Sequence, residues 1–222
     1  MRALVISTHP DDETLGCGGT LLKHKAAGDE TYWVIASQTY QPQWSEEMIT
    51  RKKAEIESVA KAYGFKDHFN LGFPAAKLDS VPKQDLIQSL AEAISQIRPD
   101  SVYLVHGGDV HSDHNVVFTT AMSALKPAYM SRMGVRRILC HETLSSTEAA
   151  APNSGATFIP TVFSDITAHL EKKLEIMDLY ASEVQADPMP RGNTAIKALA
   201  RFRGATIGVE YAESFMLLRE LA

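Results

Sequence analysis

Two short stretches hold most of the residues in this chain that could do chemistry. H-P-D-D-E at 9–13 follows an apolar run and sets His9 before three consecutive acids, Asp11, Asp12 and Glu13. H-S-D-H at 111–114 packs His111, Asp113 and His114 into four positions after another apolar run. Imidazole with carboxylate suits a borderline divalent ion such as zinc, whose catalytic sites keep three protein ligands and one open position. His9 and Asp12 stand at i and i+3, the spacing that brings side chains to one side of a turn; Asp11 is turned elsewhere and stays free of the metal. The third ligand should come from 111–114, where three donors compete. A lone histidine in a loop is more often a hydrogen-bonded structural residue, and acids are common caps at helix N-termini. Neither role explains His9 beside three acids, which repel one another unless a cation sits among them.

The elements that must position these clusters follow from the hydrophobic pattern. Apolar runs at 3–6 (ALVI) and 32–36 (YWVIA) flank a stretch of helical spacing, 15–27, that closes at Gly28, so the chain opens strand, helix, strand. A helix pattern from Ile49 to Tyr63 ends at Gly64, and a short strand near 67–71 precedes a helix from Lys83 to Ile97, which Pro99 stops. A strand follows at 101–105, then a helix at 116–125 before Pro127, a strand at 135–140, helices near 165–180 and 193–202, and a final strand near 208–217. This alternation implies an α/β fold: a three-layer Rossmann-like sandwich with a mostly parallel sheet covered on both faces. Ligands in such sheets lie outside the carboxyl ends of the strands, so 9–13 and 106–114 should meet at one edge despite the hundred or so residues between them. The irregular stretch 143–163 is either a loop over that site or a plain connection.

Composition narrows the partners. With 222 residues, 45% of them hydrophobic and 22% charged, the chain can bury a sizeable core, and one domain over residues 1–222 is the expectation. A net charge of -5 and a pI near 5.9 leave no excess of cations for phosphates, so no nucleic acid and no anionic membrane surface is expected as partner. A small-molecule substrate fits better. Cys17 and Cys140 are far apart and read as buried thiols rather than as a disulfide framework or thiolate metal site. The apolar stretch after Met1-Arg2 is too short for a signal-peptide core, and no window approaches the ~20 apolar residues of a membrane span, which points to the cytoplasm. Gly16, Gly18 and Gly19 lack the G-x-G-x-x-G spacing of a dinucleotide site, and the acids upstream would repel a pyrophosphate; close helix-to-sheet packing is their expected use.

H-P-D-D-E with H-S-D-H, in this order and each after a predicted strand, resembles the PIG-L (LmbE-like) family of zinc-dependent N-acetyl-sugar deacetylases. The resemblance extends through R-K-K-A-E at 51–55, L-G-F-P-A at 71–75 and E-T-L-S-S-T at 142–147 to tail residues Tyr180, Glu183, Pro190-Arg191, Arg203-Gly204 and Tyr211-Ala212-Glu213. Carried over by position, it implies His9, Asp12 and His114 as ligands of Zn2+ or another divalent metal, and Asp11 as general base. It further implies His111 as the group that stabilises the oxyanion and protonates the departing amine, with Asp113 orienting and charging His111. Arg51 matches a position associated with sugar contact; a solvated helix cation pairing with Glu55 at i+4 is the competing reading. The tail matches are expected to mark a subgroup rather than chemistry, and Gly192 stands where the pattern suggests a serine. The implied substrate is an N-acetylglucosamine-type amino sugar or its conjugate, and related proteins often form trimers or hexamers, so a homo-oligomer of that kind is expected. Two other functions compete: an α/β metallohydrolase of the phosphoesterase kind, against which the acidity of both clusters argues, and a non-catalytic carbohydrate- or metal-binding module, in which Asp11 and His111 would be superfluous.

Overall fold

In strand β1 (Arg2–Ser7) every residue after Arg2 is buried, because a central parallel strand is covered on both faces. Its side chains divide by parity: Ala3 and Val5 enter one core, Leu4 and Ile6 the other. The computed structural model describes residues 1–151 and 156–222. The elements after β1 are α1 (Asp12–Ala26), β2 (Glu30–Gln38), α2 (Glu46–Tyr63), β3 (Asp67–Pro74), α3 (Lys83–Ile97), β4 (Ser101–Val105), α4 (Ser112–Ala124), α5 (Pro127–Met133), β5 (Arg137–His141), β6 (Val162–Asp165), α6 (Leu170–Met177), α7 (Asn193–Ile207) and β7 (Ala212–Glu220). The seven strands lie in the order β3-β2-β1-β4-β5-β7-β6, with the first five parallel and β7 antiparallel to both of its neighbours. Helices α1, α2, α6 and α7 pack on one face, and α3, α4 and α5 on the other. This is the three-layer α/β sandwich.

The pattern misses two elements. Pro127 reads as a stop, yet it opens α5 as an N-terminal residue, where its missing N–H and fixed φ cost nothing. Strand β6 ends the stretch assigned to irregular structure; four residues are too few to show alternation. The last strand begins later than 208, because α7 runs on to Ile207 and ends at Gly208 with a left-handed φ of 77°.

The order of strands decides where a site can form. β2 and β3 build outward from one side of β1, and β4 and β5 from the other, so the chain reverses direction between β1 and β4. Ile6 pairs with Leu104, which brings the carboxyl ends of the two strands level, and the β1–α1 and β4–α4 connections diverge there to opposite faces. That crevice is the switch point of an open α/β sheet.

Candidate active site

The β1–α1 turn is held by its own acids. Pro10 fixes its φ, and Asp11 follows with φ 123°, a region disfavoured for a residue with a Cβ. Backbone strain of this kind persists where surrounding contacts over-determine it. Here Glu13, fully buried, accepts from the Asp11 amide at 3.2 Å, Ser7 Oγ at 3.3 Å, Thr14 Oγ1 at 2.6 Å and Tyr180 Oη at 2.7 Å. Asp12 Oδ2 accepts from the amides of Thr8 (2.9 Å) and His9 (2.8 Å).

Helix α1 then breaks at Cys17, whose φ of -143° is not helical. Beyond the break, the amides of Gly19 and Thr20 donate to Glu213, which also takes Lys173 Nζ at 2.7 Å. A carboxylate thus caps the second half of the helix. The glycines serve packing: a Cβ on Gly16 would lie 1.8 Å from the His141 ring, and one on Gly19 2.8 Å from Ile166. Cys17 and Cys140 are both free and buried.

The β4–α4 connection holds imidazoles by carboxylates. His111 is the N-cap of α4, and its Nδ1 accepts the Asp113 amide at 3.2 Å, so the neutral ring carries its hydrogen on Nε2. His114 Nδ1 lies 2.6 Å from Asp109 Oδ2, and a carboxylate only accepts, so that nitrogen donates and the free lone pair of the neutral ring belongs to Nε2. Nε2 is in turn 3.4 Å from Asp12 Oδ1. His9 Nε2 lies 3.1 Å from Asp113 Oδ2, which leaves Nδ1 as its free lone pair.

These contacts draw the two stretches together. One ring nitrogen from each of His9, His111 and His114 lies within 4.8 Å of the others, and Asp12 reaches the same place from below. Five acids, Asp11, Asp12, Glu13, Asp109 and Asp113, crowd around the cluster, all at most 5% exposed. Arg191 is the one lysine or arginine that bonds any of them among the described residues. A nest of imidazole lone pairs and carboxylates with so little cationic compensation fits a divalent metal ion.

Charge is divided unevenly. Burial alone would raise the pKa of Asp12, but His114, His9 and the His9 amide outweigh it and hold the carboxyl below its ordinary value. Burial and the neighbouring Asp12 charge push Asp11 up to about 8, with Arg191 opposing. His114 rises to about 9 because Asp12 and Asp109 outweigh its burial, so a metal that bound there would have to displace its proton. His111 is lowered by burial and by the neighbouring His9 and His114, which keeps it neutral.

Three groups stand apart from the places expected for them. The Asp113 carboxylate accepts from the amides of Ala76 (2.7 Å) and Leu78 (3.1 Å) and meets His9; only its backbone N–H reaches His111. Arg51 is exposed on α2 and pairs with Glu47 at 3.6 Å, while Lys52, one position on, turns into the cavity; Glu55 is taken by Ser182. The tail reaches the site. Tyr180 holds Glu13, and Arg191 Nη1 reaches Asp11 at 3.3 Å and Glu183 at 2.5 Å.

Residues 143–146 line the cavity, residues 162 and 163 are strand, and 152–155 lie outside the described residues. Two further groups escaped the sequence: Asp109, at a spacing from His114 that no periodicity flags, and His141, buried at the end of β5 with its pKa pushed by burial down to about 4. The cavity above the cluster measures about 380 Å3, walled by Trp44, Ile49, Ile56 and Leu144 and by the polar Lys52 and Glu183. That is the size and mixture usual for a small-molecule site.

A three-layer α/β sandwich with this imidazole and carboxylate cluster at its switch point is the build of an LmbE-like deacetylase. The chain belongs to the PIG-L family: the family model described as GlcNAc-PI de-N-acetylase matches residues 4–125. It is 27% identical over 168 residues to the uncharacterized deacetylase YaiS of Escherichia coli, a match covering 73% of this chain and 80% of that one. Among solved structures, the conserved protein TT1542 from Thermus thermophilus superposes with a TM-score of 0.79 at 28% identity, over 99% of this chain and 96% of its own. The N,N'-diacetylchitobiose deacetylase from Pyrococcus horikoshii superposes with a TM-score of 0.77 at 22% identity, over 98% and 84%. Family and relatives support N-deacetylase activity. No helix among the described residues is long and apolar enough to cross a membrane.

Proposed function

We propose that this chain is a zinc-dependent hydrolase that removes the N-acetyl group from an N-acetylglucosamine-type amino sugar or its conjugate, releasing acetate and a free amine. The observation that carries the reading is the division of hydrogens among three imidazoles. The bonds to Asp113 and Asp109 leave a lone pair on His9 Nδ1 and on His114 Nε2, while His111 presents an N–H. His9, Asp12 and His114 would hold the ion, and His111 is left as a donor. A bound zinc supplies Lewis acidity and lowers the pKa of water at the site toward ~7.

The chain's own groups do the rest. Asp11, buried beside the cluster yet bonded to none of the three imidazoles among the described residues, takes the proton from the attacking water. His111 Nε2–H donates to the oxygen of the tetrahedral intermediate, a contact worth about 3–4 kcal/mol in comparable oxyanion holes. An amine leaves only when protonated; Asp11 gains one proton from the water and the nitrogen needs one, so the count closes when that proton passes on to the nitrogen while His111 keeps its Nε2–H on the oxygen.

The cavity of about 380 Å3 suits one sugar with part of an aglycone, and Trp44 offers an apolar face to a pyranose. The amino-sugar class also draws on the diacetylchitobiose deacetylase, which has the same fold. The test is a panel of N-acetylglucosamine, N,N'-diacetylchitobiose and N-acetylglucosaminyl conjugates, assayed for acetate with and without chelator alongside metal analysis. Chelator-sensitive acetate release, restored by zinc, is expected. Release that survives full metal removal, or none from any member of the panel, sinks the reading.

A further inference from the structure

We propose that Arg191 is a positioning residue for Asp11, set by an arm that links helix α2 to the tail through Lys52 and Glu183. The inference rests on the reading of Asp11 as the base and deepens it.

The acids of the site are restrained very unequally. Asp12 accepts two amides, Glu13 four donors, Asp113 two amides and a histidine, and Asp109 both the His111 amide and the His114 ring. Asp11 has one donor to its carboxylate among the described residues, Arg191 Nη1, and that donor comes from 180 positions later in the chain. The residue with the least forgiving backbone, at φ 123°, therefore has the fewest side-chain contacts. A base must be aimed at a water it does not permanently hold; too many partners would disable it, and none would leave it to wander.

Arg191 is itself built in. Glu183 accepts from Arg191 with one oxygen and from Lys52 with the other. The Arg191 amide donates to Gln185 Oε1 at 3.3 Å, and its carbonyl accepts the Gln185 amide at 3.4 Å. The next residue must then be small: a Cβ on Gly192 would come within 2.9 Å of Asp187 Oδ1 and 3.0 Å of the Gln185 carbonyl. This gives the departure from serine at 192 a physical reason. The guanidinium also keeps a buried Nε with no partner among the described residues, a loss of about 1–3 kcal/mol that packing alone would not select.

The test uses the zinc-loaded protein and the best substrate of the acetyl-sugar panel. Arg191→Ala should keep its metal and its KM within about threefold while kcat falls about 10- to 100-fold, the scale of a misaimed catalytic group. Added guanidinium ion should restore part of that kcat, with the wild type as control for general effects of the salt. Glu183→Gln should lose less, and the double variant should be no slower than Arg191→Ala alone, because the residues act in series.

A kcat within about twofold of wild type, a folded and metal-loaded Arg191→Ala that guanidinium does not restore, or additive losses in the double variant would each overturn the arm. Should Arg191→Ala fail to fold, Arg191→Lys with Glu183→Gln decides: wild-type kcat in both overturns it, and reduced kcat at unchanged metal content and KM supports it. Asp11→Asn separates the two readings. If it keeps wild-type turnover, the base assignment itself fails; if it is inactive while Arg191→Ala is not, only the arm fails.

Discussion

The two turns that form the site are held by opposite means. In the β1–α1 turn, backbone amides hold carboxylates: Thr8 and His9 fix Asp12, and the Asp11 amide is tied to Glu13. In the β4–α4 connection and beyond, carboxylates hold imidazoles: Asp109 fixes His114, and Asp113 fixes His9 across the crevice. The reason lies in the donors. A carboxylate has only acceptor sites, and the start of a helix is rich in unpaired amides; an imidazole has one N–H to spend, and a carboxylate is its strongest acceptor. The first turn is therefore rigid through its backbone, and the second through side chains that a single substitution can remove.

Replacing a ligand should have the largest effect on this contrast. His114→Ala should lose both metal and turnover, whereas Asp11→Ala and His111→Ala should keep the metal and lose about 100- to 10,000-fold in kcat. Metal analysis beside kinetics separates the two groups, and full metal content in His114→Ala would remove it from the ligand set. Next comes the side-chain anchor: Asp109→Asn should weaken metal affinity about 10- to 100-fold with the fold intact, measured by competition with a chromogenic chelator. Affinity equal to wild type would mean that His114 needs no carboxylate to hold it.

A third prediction concerns stability and its sign. The folded pKa of Asp11, about 8, lies above the ordinary 3.8, so the metal-free fold prefers the protonated form. That contribution is fully present below about pH 4 and is lost progressively up to about pH 8. Asp11→Asn, which mimics the protonated carboxyl, should match the metal-free wild type in Tm near pH 4 and exceed it increasingly toward pH 8, where its unfolding free energy should be higher by on the order of a few kcal/mol. A difference in Tm that does not change with pH would sink this account. The smallest effect belongs to Arg51→Ala: its partner Glu47 is exposed on the same helix, so kcat/KM on the best substrate should stay within about twofold. A larger loss would return Arg51 to the substrate side of the cavity.

Much of this was legible in the chain itself. Strand 101–105 and helix Lys83–Ile97 match the structure residue for residue, since a short apolar run and a periodic stretch stopped by Pro99 leave little to tertiary choice. The convergence of 9–13 with 106–114 follows from alternation and the rule for parallel sheets. Helix α5 and strand β6 were not legible, because a proline has two meanings at a helix boundary and four residues carry no period.

The sequence by itself determined the types and local spacing of the reactive groups: H-P-D-D-E and H-S-D-H, each after a buried strand. Only the tertiary structure decided which carboxylate holds which imidazole, that Lys52 rather than Arg51 faces the cavity, and that Arg191 from the far tail stands against Asp11. Spacing governs contacts within one turn, where covalent geometry sets the distance. Contacts between residues 100 or 180 positions apart depend on how helices pack across the sheet, and no periodicity along the chain records that.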